Sequence, residues 1–470
     1  MPRNHIKNTK NASIFKAARQ EKAAASESIS KIPTWKHLLK FTFPTILSML
    51  IMSTFGIVDG IFVSRLIDPV ALSVVSLVYP FMAFIMAFGF MMGVGGNALV
   101  AKKIGEGREK EGRENFSLIA LVSFAVSLVL TSIGVLFPDF ILGVLGVDDF
   151  AREMSLQYLQ PMLWFLPTAV LGMIFQQFLI TAGKAHYSAI MSLLGGLISA
   201  GLNYVFIYLL DMGLSGAAFA TSIGFTLPFV VGSLYFTFNR SGKIYLVLPK
   251  WDYRALGRAS VNGASEMVTM LAVSITAVLM NNILMDLEDG GIMAVGAAAI
   301  MFGGMGIFSA LFMGYSSGVA PIISYNYGKG DKDNLKRAFS NSMRLITLLS
   351  LASVGLAFLF ADVLISIYDI PPDTAMHGMA RTGVRFLAGS FVFMGINSFG
   401  SMFFTALNNG VVSSILSLFR TLIFVAIAFL TLPQLFGLAG AWAAIPAAEA
   451  MAIVMTIIFI RAMRKRYGYA

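Results

Sequence analysis

The sequence predicts an all-α integral membrane protein. Twelve transmembrane helices are expected, in two pseudo-symmetric six-helix lobes related as a parallel repeat. Three observations predict this: apolar residues dominate the chain, basic residues fall on alternate loops, and landmarks recur at a near-constant offset. Of 470 residues, 57% belong to the AVILMFWYC set and 12% to DEKR, against about 45–50% and about 25% in a soluble domain. Long soluble chains split into domains because one core stops growing. None of those cores could hide this much apolar surface. The composition excludes a water-soluble enzyme and a disordered chain. At roughly 20 apolar residues per crossing, there is room for about twelve.

Apolar runs broken by polar punctuation give spans at 41–65, 71–101, 116–137, 155–182, 187–210, 214–238, 257–285, 291–326, 338–360, 382–407, 411–431 and 437–461. Two runs, 71–101 and 291–326, exceed a bilayer thickness and must tilt, bend or protrude. Both are glycine-rich (Gly89, Gly93, Gly95, Gly96; Gly303, Gly304, Gly306, Gly314). The organisation expected is a basic cytoplasmic tail at 1–40, a first lobe at 41–238, an inter-lobe loop at 239–256, a second lobe at 257–461 and a basic tail at 462–470. The first forty residues lack the apolar run and cleavage site of a secretory signal.

Charge tests the span count. With both termini placed inside, 29 of the 34 lysines and arginines fall on inside segments. Four lie outside (Arg65, Arg152, Arg381, Arg385) and one, Arg420, within a span. The outer loops carry acids, among them Asp148, Asp149, Asp286, Glu288 and Asp289. This asymmetry is the positive-inside pattern, so the net charge of +10 needs no nucleic-acid partner. The expected location is a plasma membrane, the bacterial inner membrane.

The repeat shows in four landmarks. Asp59–Gly60 falls 222 residues before Asn281–Asn282, and Gly105–Glu106–Gly107 falls 223 before Gly328–Lys329–Gly330. Thr181–Ala182 falls 224 before Thr405–Ala406, and the octets starting at Gly213 and Gly437 share five residues at the same offset. A unit of six spans is even, so both halves enter from one side. In repeat transporters the substrate site lies between the halves, and rocking exposes it to each side in turn. A channel would need a ring of carbonyls or like charges, and no such string occurs.

Charges inside a bilayer are costly and usually face the protein interior. Four stand out: Asp59, Glu266, Arg420 and Glu449. Asp59 lies nine residues before the outer acid Asp68, and Asn203 lies eight before the outer Asp211. The two therefore share a depth in one lobe, with Ser199 one turn earlier. A carboxylate with neutral oxygens suits a proton or a hard cation such as Na⁺, which makes Asp59 the candidate ion carrier and candidate Na⁺ ligand. The bland alternative is a hydrogen-bond anchor. Glu266, eight residues after Arg258, is a candidate for substrate or ion, or for holding the inter-lobe loop. Asn281 and Asn282 replace the aspartate in the second lobe; they are candidates for the substrate cavity and are expected mostly to hold helices together. Arg420 and Glu449 flank a tight turn expected near 432–436, at matching depth, which points to an ion pair; substrate binding is the alternative. The 28 methionines and 40 phenylalanines suit a pocket for hydrophobic cations, although most must serve lipid contact and packing.

Other chemistry is excluded. With no cysteine and four scattered histidines, neither a thiolate site nor metal-ligand spacing is present. The glycine-rich strings lack the lysine and the strand of a phosphate loop. No nucleophile–base constellation appears, so neither an enzyme nor a cofactor is expected.

These residues resemble the multidrug and toxic compound extrusion family, and within it the MepA-like branch, over roughly 38–461. The resemblance is carried by Val58–Asp59–Gly60, by Asn262 to Glu266 and Asn281–Asn282, and by Pro321 to Gly328 with Tyr325 and Asn326. Arg420 and the string Trp442 to Glu449 with Pro446 complete it. It implies twelve helices in two lobes, a central cavity, export of organic cations or amphipathic molecules against Na⁺ or H⁺, and a central coupling role for Asp59. Some members carry a second aspartate where Asn203 stands, and a span 7 glutamate near Val273. The alternative activity is a flippase of a lipid-linked or small metabolite cargo. Anionic cargo would call for several cavity cations, and Arg420 alone is embedded. A monomer is expected.

Overall fold

The computed structural model describes residues 29, 31–67, 69–145, 147, 149–240, 242–287, 291–366 and 370–469. Residues 1–28 of the expected tail, and the outer acids Asp68, Asp148, Glu288 and Asp289, lie outside them. The described residues form helices α1 (Trp35–Leu66), α2 (Pro69–Gly105), α3 (Glu109–Leu136), α4 (Pro138–Val144), α5 (Asp149–Thr181), α6 (Ala185–Asn203), α7 (Gly213–Phe238), α8 (Tyr253–Asp286), α9 (Gly291–Lys329), α10 (Lys332–Ser366), α11 (Ala375–Ala406), α12 (Gly410–Leu418) and α13 (Phe424–Tyr467). Two wider π-helical stretches, Tyr204–Leu209 and Phe419–Ile423, follow α6 and α12.

The helices overrun the apolar runs by up to seven residues because charged and capping groups extend them past the hydrocarbon. Thr34 caps α1, its hydroxyl accepting from the His37 N–H at 3.4 Å. Asp331 caps α10, and the Asn334 backbone N–H on its carboxylate holds that group below the usual range. The short α4 has no counterpart in the expected spans. The 462–470 segment is helical to Tyr467, turns at Gly468 (φ 68°), and buries Tyr469 against Phe339 and Phe403.

Eleven segments among the described residues are long and apolar enough to cross a membrane. The last, Gly410–Tyr467, has 58 residues and would measure roughly 87 Å if straight. It folds back instead. The backbone breaks at Gly437 (φ 54°, ψ −137°), Gly440 packs on the Leu432 carbonyl, and Arg420 meets Glu449 at 2.9 Å. The segment is thus two crossings, which brings the total to twelve. The reversal lies at Gly437, just beyond the expected 432–436.

The repeat is written into the backbone. Gly213 (φ 56°) matches Gly437 (φ 54°), and Gly107 (φ 78°) matches Gly330 (φ 72°). These left-handed turns fall at the offsets of the sequence landmarks, where glycine carries no Cβ penalty. Buried polar contacts repeat as well. Gln176 donates to Ser192 at 3.2 Å, and the residues 225 further on, Ser401 and Ser417, bond at 2.9 Å.

The lobes, α1–α7 and α8–α13, cross through glycine. A methyl on Gly95 would overlap the Ala259 carbonyl, and one on Gly263 would overlap that of Met91. Gly105 sits on the Tyr325 carbonyl and Gly328 on that of Lys102, so the two GxG turns clasp each other. Small residues let backbones approach this closely. Gly95, Gly105, Gly314 and Gly328 of these long spans therefore serve close packing, whereas a methyl on Gly306 would meet open space. Lys102 lies over the Tyr327 ring at 5.1 Å, and Asn408 donates to the Ala98 carbonyl at 3.3 Å. All of these contacts lie in the half of the molecule that holds the GxG turns. Within the clasp motif, Asn326 bonds its own helix at Ile322, and Trp442 packs on Gly383, with Pro446 one turn beyond it on α13.

Candidate coupling and binding sites

The far half of the first lobe holds a polar centre within its helices, apart from the exposed Arg152–Asp139 ion pair. Asp59, 24 residues along α1 from Trp35, is half-buried between α6 and α7. Its Oδ1 accepts from Asn203 Nδ2 at 2.8 Å and from Ser199 Oγ at 3.3 Å. Its Oδ2 accepts from Thr221 Oγ1 at 2.9 Å. Asn203 is the last residue of α6 before the π-helical stretch, and Thr221 lies eight residues into α7 from the Gly213 turn. Depth counting therefore brings Asp59, Asn203 and Ser199 together as expected. Thr221 was not among the expected residues, although its count from Gly213 equals that of Asn203 from Asp211.

The chemistry of the two carboxylate oxygens differs. The Asn203 amide N–H can only donate, whereas hydroxyls can donate or accept. Oδ1 is therefore committed as an acceptor. Oδ2 can take a proton without breaking the shell, because Thr221 then turns from donor to acceptor. Asn203 Oδ1 is buried with no partner, leaving one spare oxygen beside the carboxylate. No cluster of three or more His, Cys, Asp or Glu is present among the described residues, so a cation here would draw on Asp59, the Asn203 carbonyl, hydroxyls and backbone.

Beside this centre, α1, α5, α6 and α7 form a narrow cleft lined by Met52, Phe55, Met173, Gln176, Met191 and Phe225. Met52 and Phe55 lie one to two turns before Asp59, and Phe225 one turn after Thr221. In this state the cleft encloses only about 10 Å³, about the room of one water, so it must widen before it can seat a drug-sized molecule.

The second lobe holds a different centre. Arg420, in the π-helical stretch after α12, donates through Nε to Glu449 Oε1 at 2.9 Å. Asn397 on α11 donates to Glu449 Oε2 at 2.7 Å and to its carbonyl at 3.0 Å. Thr456 in turn donates to Asn397 Oδ1 at 2.9 Å. Glu266 on α8 is buried, within electrostatic reach of Arg420. One guanidinium thus pairs with one carboxylate and lies within electrostatic reach of a second. Asn397 and Thr456 were not expected from sequence. Neutral residues carry no cost that would single them out.

Asn281 and Asn282 correct an expectation. Both are exposed, and no hydrogen bond from either to another helix occurs among the described residues. Their register on α8 turns Met280 and Leu284 inward instead. Nor do hydrogen bonds or ion pairs join the Asp59 centre to the Arg420 centre among the described residues; each lobe keeps its own.

Comparison with known proteins agrees with this architecture. The MatE family model matches residues 44–205 and 266–430. The chain is 23% identical over 443 residues to "Multidrug export protein MepA" of Staphylococcus aureus (strain NCTC 8325 / PS 47), covering 93% of this chain and 95% of the relative. It is 24% identical over 447 residues to the protein of that name from Staphylococcus saprophyticus, with the same coverage. Among solved structures, one described as an outward-facing conformation of a multidrug resistance MATE family transporter superposes with TM-score 0.87 at 20% identity. That match covers 94% of this chain and 98% of the other. A MOP superfamily transporter from Pyrococcus furiosus, described as having a binding pocket of reverse polarity, gives 0.85 at 19%, with 93% and 97% covered. The chain, a multi-pass membrane protein, belongs to the MatE family of multidrug and toxic compound extrusion transporters and is MepA-like within it.

Proposed function

We propose that the protein is a secondary active exporter that exchanges hydrophobic or cationic small molecules for H⁺ or Na⁺ by alternating access. The observation that carries this reading is the Asp59 shell: one membrane-embedded carboxylate, three donors and a spare amide oxygen, next to a Met- and Phe-lined cleft. Flexible thioethers and aromatic faces accommodate varied apolar cations. Three donors already occupy most of the carboxylate's roughly four acceptor sites, and a metal cation would have to displace or turn them, so H⁺ is the favoured coupling ion. Arg420 is the one cation expected within a span, and its ion pair with Glu449 leaves it no spare positive charge, which weighs against an anionic flippase cargo. Exchange arises because outward and inward states differ in affinity for ion and for drug. The lobes meet at the GxG turns, so this structure corresponds to the state closed on that side. The acting unit is a monomer in the bacterial inner membrane, with no cofactor.

The test is efflux of a cationic dye from proteoliposomes under an imposed H⁺ or Na⁺ gradient. Dye movement against its gradient with H⁺ alone is expected. Movement with Na⁺ alone would reassign the ion, and movement with neither would end the antiport reading.

Orientation has its own test. The positive-inside pattern puts both termini and the GxG turns in the cytoplasm. The chain has no cysteine, so single cysteines at 109 or 332 give a clean readout. An impermeant maleimide added to intact cells should leave both unlabelled, while permeabilised cells label. Strong labelling from outside would overturn the twelve-span orientation.

A further inference from the structure

At the GxG end, away from both polar centres, a groove of about 680 Å³ opens between the start of α3, the end of α7 and the segment after it. Lys110, Arg113, Glu114, Arg240, Tyr245 and Leu248 line it. With the flanking Glu109 and Lys243 counted, four cations meet two carboxylates: Lys110 lies 4.0 Å from Glu114, and Arg113 and Lys243 both reach Glu109. Arg113 is held in place, donating to Glu109 at 2.9 Å and to the Lys243 carbonyl at 2.9 Å, with its guanidinium 4.4 Å from the Tyr245 ring centroid. Arg240 lies 5.8 Å from the same Tyr245 ring centroid and has no carboxylate within ion-pair distance among the described residues. The groove is bordered by apolar surface: Leu248 is 93% exposed, and Phe238, Trp251 and Tyr253 are exposed as well. Exposed aromatics beside lysine and arginine mark the plane where a membrane protein meets lipid headgroups.

We propose that this groove seats the phosphodiester headgroup of an anionic phospholipid from the adjoining leaflet. Arg240 and Lys110 supply charge to the phosphate oxygens. Arg113, with five N–H donors, keeps some free after its two anchoring bonds. The acyl chains would run along the exposed Leu234 and Phe238 on α7. Charge complementarity selects an anionic lipid over a zwitterionic one, and the apolar border selects a lipid over free phosphate. Lys243, whose carbonyl anchors Arg113, also lies over the Tyr325 ring at 5.4 Å, so the headgroup sits beside the clasp between lobes. The inference rests on the membrane-spanning fold and not on the cargo or the coupling ion.

Native mass spectrometry of the purified full chain in detergent tests it, with phosphatidylglycerol, phosphatidylcholine and inorganic phosphate as probes. Phosphatidylglycerol should bind at the lowest concentration. Each basic residue at a charged interface contributes about 1 kcal/mol and 1.4 kcal/mol is tenfold, so K110Q with R240Q should weaken it by about tenfold or more. Arg240→Lys should retain the parent affinity within about threefold on the same scale. If the double variant melts lower than the parent, the comparison of Arg240→Gln with Arg240→Lys carries the test. Equal binding of phosphatidylcholine, undiminished binding by the double variant, or inorganic phosphate binding as tightly as the lipid would each overturn the proposal.

Discussion

Asp59→Asn is expected to reduce gradient-driven dye efflux to the level of protein-free vesicles while leaving a folded protein that still binds dye. Asparagine has the shape of the aspartate. Its oxygen can keep accepting from Asn203 and Ser199, where Oδ1 now receives bonds of 2.8 and 3.3 Å. Its Nδ2 replaces Oδ2 and donates to Thr221, as a protonated carboxyl would. The variant therefore copies the proton-bound state and cannot leave it. Because the shell stays satisfied, the stability change should fall within the range of mild substitutions, about 1 kcal/mol. Coupling is lost because the group no longer distinguishes the two states through occupancy. A melting curve, dye binding and efflux measured on the same preparation separate these effects. Thr221→Val is the companion: it removes the partner of Oδ2 alone and should impair efflux less than Asp59→Asn. Undiminished active efflux by Asp59→Asn would end this mechanism and move the search to Glu266.

The fold was legible because the bilayer leaves a coarse signature. Apolar runs of a set length, basic residues on alternate loops and a near-constant offset survive without any knowledge of packing. The turn glycines at 213 and 437 show why the offset is physical: each reverses the chain through a conformation that side chains resist. Embedded charges were legible for the same reason, since their cost makes them conspicuous. Depth counting then paired Asp59 with Asn203, and Arg420 with Glu449. Neutral partners were harder to see. A threonine such as Thr221 looks like Thr42, which merely bonds its own helix at the Leu38 carbonyl, a common fate for hydroxyls in helices. Thr221 could have been found by carrying the depth count to the third helix. Asn281 and Asn282 misled because repeat position fixes a place on the helix axis, while the rotation that turns Met280 inward is set by packing against other helices. The Gly95–Gly263 crossing was out of reach too: the sequence marks small residues, but only the structure shows which backbones they let meet.

The largest stability effect should come from the second lobe. Arg420 and Glu449 are side chains with 12% and 7% of their surface exposed, and removing one partner of such a pair strands a charge, at a cost of about 3–5 kcal/mol. The two single variants should not be equal. Arg420→Met strands the Glu449 carboxylate and also removes the cation within electrostatic reach of Glu266, whereas Glu449→Gln leaves Arg420 with Glu266 still in reach. Arg420→Met should therefore be the worse of the two. The double variant Arg420→Met with Glu449→Leu should be milder than either single variant, because both ends of the pair go together. Asn397 then keeps its 3.0 Å bond to the backbone carbonyl of residue 449 but loses the one to the carboxylate, and the single N–H this orphans costs about 1–3 kcal/mol, less than a stranded charge. Melting temperature in detergent and expressed yield, compared across the four proteins of the cycle, give the coupling directly. A double variant as poor as the two singles added together would mean that the contact contributes nothing to stability. Arg420 and Glu449 would then be better explained as groups held ready for cargo, and dye affinity would have to fall in both single variants.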